Sequence, residues 1–476
     1  MGASRKSLVQ WVLPFALATA TVAAVGCGVQ GEESSVEEGE LRPLERKAVG
    51  EAVPYPADTT LRDQLDTLTK SQKARRAAAW KAVARSLRPV KIADEAVKVG
   101  EETASVPLWR TWYAKDDIER VFSKLYTEMT PAERRARKPF DKKAIEDAYA
   151  WNARDIGGSS QTDYFERVKK VTEEAAAQGL GGNHRVSYSP GFVTHLLSQY
   201  KSLYQCRPGE IARDAAPPSA TNFAGCLTSE FPADAALVKA SWYRANFGLK
   251  VPSRDTSAAT LDKRVHGQLD EGGWGKTGDG DVDPDESQIY TVKMGDGTRF
   301  RLAAMHLLTK ELRDWFWITL WYSPDADSDY GADRPAEIKA LGGPWSHYKM
   351  NVTVAFEEKD PDPRGGFEGS LGDAIAATYS GVGGPSWASN PYLEKGAKNA
   401  QTNCIGCHQH AGSDENSESI LASEEKFPKA GREKVRANFP MDYTFALNGA
   451  PENLVGVISS QIQHHDTHDP VPGGEP

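Results

Sequence analysis

What this chain lacks narrows the possibilities first. Beyond residue 25 it has no second apolar run long enough to cross a bilayer, which excludes a protein with several spans of that kind. It has no G-x-S-x-G turn, no G-x-x-x-x-G-K-[ST] loop and no H-E-x-x-H helix. Those absences remove three common routes to a serine nucleophile, a phosphate cradle and a zinc protease. Positive charge is in deficit, with 57 Lys and Arg against 66 Asp and Glu. A net charge of -9 argues against nucleic acid or anionic lipid as the main partner and is compatible with a basic redox protein. Cysteine is scarce at five residues, too few for a disulfide-stapled scaffold of this length. No internal repeat is present. What is present, 39% hydrophobic and 26% charged residues with twelve Trp, describes a globular protein with ample material for a large core.

The N-terminus is patterned for export. Arg5 and Lys6 precede an apolar run from Leu8 to Val25, and Ala24-Val25-Gly26-Cys27 follows the lipobox order of bacterial lipoproteins, with Ala24 where Leu is usual. Residues 1–26 therefore read as a signal peptide and Cys27 as the lipidated first residue. The competing reading is an uncleaved membrane helix, disfavoured by Pro14 and by the small residues at the run's end. Residues 27–58, rich in Glu, Gly and Ser, read as a flexible acidic tether. The expected location is the periplasm or the outer membrane, with membrane contact through the N-terminal lipid.

Periodicity divides the rest into an α+β chain. Residues 59–234 read as a mainly helical domain, with helices over 59–88, 115–129, 141–152, 161–178 and 191–205. Residues 235–360 read as β-rich. Residues 289–294 and 298–303 flank Gly295-Asp296-Gly297 as strand, turn and strand. Residues 315–322 carry Trp315, Trp317, Thr319 and Trp321 on one face and apolar residues on the other, which predicts a central strand covered on both sides. Met350, Val352, Val354 and Phe356 alternate in a further strand. Residues 361–464 contain Gly- and Pro-rich connections, then a cytochrome c-like haem segment with short helices over 421–436 and 451–463. The tail 465–476 reads as disordered.

Cys404-Ile405-Gly406-Cys407-His408 is the one C-x-x-C-H string. Its spacing lets two thiols add to the two vinyl groups of a haem while the adjacent imidazole takes the iron. A thioredoxin-like pair would follow a strand in a βαβ unit, and a zinc site would need a second ligand pair; neither pattern is present. The cofactor expected is thus one haem c on Cys404, Cys407 and His408. For the sixth iron ligand Met441, in Asn438-Phe439-Pro440-Met441-Asp442, is the leading candidate against its reading as an apolar packing residue. His464, His465, His468 and Met350 are rivals, as is an open position. His410 is too close in sequence to His408 to reach the opposite face. A single motif excludes di-haem peroxidases and multi-haem wires.

Cys206 and Cys226 remain and, in an oxidising compartment, read as a disulfide. Asp279, Asp281, Asp283 and Asp285 alternate like a calcium loop, yet Pro284 stands where an EF-hand needs Gly, so a solvated acidic turn is the plainer reading. The Trp stripe reads as core, and His306 and His347 as structural histidines.

Several stretches together resemble the large bacterial cytochrome c family proteins that carry one haem motif near the C-terminus. The first is His306-Leu307-Leu308-Thr309-Lys310 followed by Trp315-Phe316-Trp317-Ile318-Thr319. The others are Gly331-Ala332-Asp333-Arg334-Pro335 and Ser389-Asn390-Pro391-Tyr392-Leu393-Glu394. The resemblance covers roughly 235–412. It implies electron transfer facing the periplasm and brings no catalytic residues. The function expected is a lipid-anchored mono-haem electron carrier serving an unknown redox partner protein. The alternatives are a haem-dependent oxidoreductase with a site near His306, Arg334 and Trp317, or a haem-based ligand sensor.

Overall fold

A computed structural model of the chain describes residues 44–45, 52–91, 105–148, 182–206, 226–246, 248–257, 259–260, 280–293, 298–355, 388–394, 404–411, 436, 438–447 and 454–469, and the structural statements below concern these. Residues 1–26, Cys27 and the helices expected over 161–178 and 421–436 lie outside them. The described residues belong to one compact unit of mixed α+β structure.

The organising element is an antiparallel sheet in the order β4 (Gly182–Tyr188), β5 (Ala236–Arg244), β7 (Arg299–Thr309), β8 (Phe316–Tyr322), β9 (Tyr348–Thr353), with β6 (Thr291–Lys293) paired to the start of β7. A smaller sheet joins β1 (Leu44–Glu45), β2 (Pro89–Lys91) and β3 (Ser105–Pro107). All seven residues of β8 are buried, as expected for a central strand with apolar residues on both faces. One face packs on a core that includes Ala79, Trp80 and Val83 of helix α2 (Gln72–Leu87), which follows α1 (Leu65–Lys70). On the other face Leu237, Leu308 and Trp317 meet a second core built from helices. These are α3 (Lys115–Glu128), α4 (Pro131–Ala136), α5 (Lys142–Ala148), α6 (Pro190–Ser198) and α7 (Tyr200–Gln205). A short helix, α8 (Ala336–Ala340), lies before β9.

Local chemistry sets several helix ends. Thr130 and Glu133 form a reciprocal capping box around Pro131 at the first position of α4, and Ser189 caps α6 ahead of Pro190. The helix expected over 191–205 is broken at Gln199, whose amide oxygen accepts from the Thr228 backbone N–H at 2.6 Å. Strand β4 arises inside the stretch read as helical and pairs along its whole length with β5.

Three expectations are corrected. The tether does not stay free to residue 58: Ala52 and Tyr55 are buried, the Tyr55 hydroxyl donates to buried Glu311 at 3.1 Å, and the Asp58 N–H donates to the same carboxylate at 2.6 Å. The strand expected from residue 315 starts at Phe316, because Trp315 adopts a left-handed conformation with φ 63°. Helix α10 (Leu454–His468) runs past residue 464 into the tail read as disordered. It is held there by Arg134, which donates two hydrogen bonds of 2.6 and 2.7 Å to the Asp469 carboxylate, and by the ion pair of Arg137 with Asp466 at 2.5 Å.

Candidate functional site

The C-x-x-C-H string forms a single helical turn, α9 (Cys404–His408), laid against the second core through buried Ile405. At 3.6 residues per turn, positions three apart share a face, so Cys404 and Cys407 stand side by side on α9. Neither thiol is disulfide-bonded. Burial pushes the Cys404 thiol pKa well up, and the Glu394 charge adds to that effect.

His408 is oriented from behind. Its Nδ1 lies 2.8 Å from the Tyr443 carbonyl oxygen, so Nδ1 carries the proton and donates, and Nε2 is left as the free ring acceptor. The ring sits between Trp317, with centroids 4.5 Å apart, and Phe445, edge-on at 5.0 Å. Desolvation by this packing pushes its pKa down to about 3 against the opposing pull of the Tyr443 carbonyl, so the imidazole is neutral at physiological pH.

The Tyr443 carbonyl is placed by a turn that the sheet holds in an unusual shape. Asp442 and Tyr443 both have positive φ, 45° and 65°, a conformation that non-glycine residues rarely adopt singly. Lys310, 1% exposed, pairs with the Asp442 carboxylate, 3% exposed, at 2.7 Å. The second carboxylate oxygen accepts from the Phe231 N–H at 3.1 Å, and the Asp442 carbonyl accepts from the Trp315 indole at 2.8 Å. Buried Asp314, whose pKa burial raises, is hydrogen-bonded to the Tyr443 side chain. Thus Lys310, Trp315 and Asp442 together fix the carbonyl that orients His408. Sequence reasoning missed the pairing of Lys310 with Asp442, which lie 132 positions apart with no local pattern linking them. Lys310 stands out only through the family resemblance, and Trp315 through the strand pattern as well.

A polar row crosses the same sheet face one step along. Residues Lys239, His306 and Thr319 are register partners on β5, β7 and β8. The next row contains Leu308 opposite Trp317, the residue packed on His408. His306 Nε2 lies 2.7 Å from the Glu394 carboxylate. The segment carrying Glu394 is docked by Asn390, whose amide donates to the Thr319 hydroxyl at 2.7 Å and to the Leu320 carbonyl at 2.9 Å. Two of the stretches that suggested a family, the one carrying His306 and Trp317 and the one carrying Asn390 and Glu394, are therefore in mutual contact beside α9.

Other residues fall elsewhere. Arg334 does not join His306 and Trp317: its guanidinium donates to the Ala326 and Tyr348 carbonyls and pairs with Asp327. His347 lies in the turn before β9, its pKa lowered by burial and by Arg334. Trp321 belongs to the first core and Trp315 and Trp317 to the second, so the stripe is divided between packing tasks. Met441 is 1% exposed in the second core, and Met350 packs in the first. His464 and His468 stack on each other on α10, while His465 meets Tyr126. Cys206 and Cys226 lie within disulfide distance, their Cα atoms 4.7 Å apart.

In the acidic turn Asp283 pairs with Arg301, Asp285 accepts from the Ser287 N–H at 2.8 Å, and Glu286 pairs with Lys293 at 3.1 Å. These carboxylates are satisfied within the protein; Asp279 lies outside the described residues. Among the described residues no cluster of three or more His, Cys, Asp or Glu side chains could hold a metal ion, and no helix is long and apolar enough to cross a membrane. Comparison with known proteins found no matching family model, no matching curated protein and no matching solved structure.

Proposed function

We propose that the chain is an exported, lipid-anchored mono-haem c-type cytochrome that carries single electrons in the cell envelope. The observation that carries this reading is the geometry of α9. Two thiols share one helical face, and the adjacent imidazole has Nδ1 committed to the Tyr443 carbonyl, which leaves Nε2 for iron. A metal-bound His ordinarily places its second ring nitrogen on a carbonyl or carboxylate in this way. When bound, a haem supplies one-electron exchange at its iron. Cys404 and Cys407 would tether it and His408 would ligate it, with Trp317 and Phe445 restricting the imidazole's rotation. Cys27 would supply the lipid attachment and so the membrane contact, leaving the folded body to meet a redox partner protein. The family resemblance points to the same class.

The test is expression of the full chain in a host that matures c-type cytochromes. A haem stain that survives denaturing electrophoresis, with one haem per chain by the pyridine haemochrome spectrum, is the expected result. The Cys404→Ser, Cys407→Ser double variant should lose it. A fully matured preparation without covalent haem sinks the reading. Release of the Cys27→Ala variant from the membrane fraction tests the anchor separately.

A further inference from the structure

Resting on the reading of α9 as a haem-bearing turn, we propose that His306 supplies the second axial ligand to the iron, so that the haem is held between two imidazoles. With His408 as one ligand, the second donor must approach from the side away from His408, and the protein donors suited to it are a thioether or another imidazole. Met441 is badly placed for this. It belongs to the turn closed by the Thr444 N–H on the Met441 carbonyl at 2.9 Å, two residues from the carbonyl that occupies His408 Nδ1. That puts its backbone behind His408, and its side chain would have to pass around the edge of the macrocycle. Met350 packs in the core on the opposite face of the sheet. The histidines of α10 are engaged with one another, with Tyr126 and with Asp469.

His306 has the placement these residues lack. It projects from central strand β7 on the face that carries Trp317, one register row from the indole that touches His408. Two residues along a strand advance about 7 Å, and diagonal cross-strand neighbours at that separation are within reach of each other's aromatic side chains. The His306 side chain is 13% exposed. His306 Nε2 lies 2.7 Å from a Glu394 carboxylate oxygen without hydrogen-bond geometry, whereas the Tyr443 carbonyl is hydrogen-bonded to Nδ1 of His408. A turn of the His306 ring would complete a carboxylate–imidazole–metal relay, in which the carboxylate fixes the ring and strengthens the ligand. Glu394 is itself fixed, because Asn390 ties its segment to Thr319 and Leu320.

The test uses the matured holoprotein, with haem content measured in every sample so that failure of haem attachment is scored against the haem reading and not against this one. The wild type should be six-coordinate and low-spin in both oxidation states, inert to carbon monoxide, and without the sulfur-to-iron charge-transfer band of a Met ligand. His306→Ala should turn the ferric iron high-spin and bind carbon monoxide rapidly when reduced, and added imidazole should restore the low-spin spectrum. Met441→Leu should leave the spectrum unchanged. His306→Met, which retains an iron donor and needs no empty site, should introduce the sulfur-to-iron band. A wild-type sulfur band, a high-spin wild type, a low-spin haem-loaded His306→Ala, or a spectrum that responds to Met441→Leu each overturns the proposal.

Discussion

Replacing Lys310 with Met tests the turn that carries the His408-orienting carbonyl. The ammonium and the Asp442 carboxylate are 1% and 3% exposed, so neither is solvated when its partner goes. Removing one member of such a pair costs about 3–5 kcal/mol, mostly from the charge left unpaired. Asp442 retains the Phe231 N–H, and the more exposed contact of Lys310 with Glu230 at 3.3 Å adds little, so the lower end, about 3 kcal/mol, is expected. Asp442→Asn should cost a similar amount. The double variant leaves no stranded charge and should cost clearly less than the sum, with a coupling of about 2 kcal/mol. Urea unfolding followed by far-UV circular dichroism and tryptophan fluorescence measures all three. In the holoprotein the loosened carbonyl makes His408 a weaker base, so the Lys310→Met reduction potential should rise. A single-variant cost under about 1 kcal/mol, or costs that simply add, refutes the buried-pair argument.

Three further outcomes follow from the packing. Trp317→Ala removes a fully buried indole from the sheet face against His408 and should cost about 3–5 kcal/mol, with Trp317→Phe far milder in thermal melts. The Asp469 carboxyl is held below its ordinary pKa by the hydrogen bonds from Arg134, so its contribution is complete above the usual carboxylate range and is lost as pH falls through the depressed value. The protection factors of α10 amides, taken relative to the intrinsic exchange rate at each pH, should therefore fall in acid, whereas those of Asp469→Asn should be lower at neutral pH and flatter with pH. Reducing Cys206–Cys226 should lower stability by about 3 kcal/mol, the entropy of a loop of this length, and the Cys206→Ser, Cys226→Ser variant should match the reduced wild type and ignore reductant.

The elements legible in the sequence are those specified by neighbours a few residues away. Helix α3 follows its opening acidic pair and β8 the apolar residues on both its faces, whereas the short α4 with its Thr130–Glu133 box is not among the helices expected from the sequence. What escaped is specified across the chain. Strand β4 begins at Gly182-Asn183 and has weak alternation; its ladder with β5 defines it. Trp315 is bent out of β8 by the lattice around Asp442, and α10 is extended by arginines more than 300 residues earlier. The same division runs through the site. Cys404, Cys407 and His408 announce themselves by spacing, while Tyr443 acts through a backbone carbonyl that any residue possesses. His306 reads as an ordinary strand histidine until the register sets it beside Trp317.

The docking of α10 on α3, α4 and α7 has a consequence for the order of events during synthesis. Arg134 and Asp469 are separated by 335 positions, so the second core closes only after nearly the whole chain has been made. Contacts of such long sequence separation form slowly, and until they do the early helices have no lasting partner. On the ribosome the second core therefore stays open until Leu454–His468 has emerged. The C-x-x-C-H string, which packs on that core through Ile405, also stays uncovered through that interval.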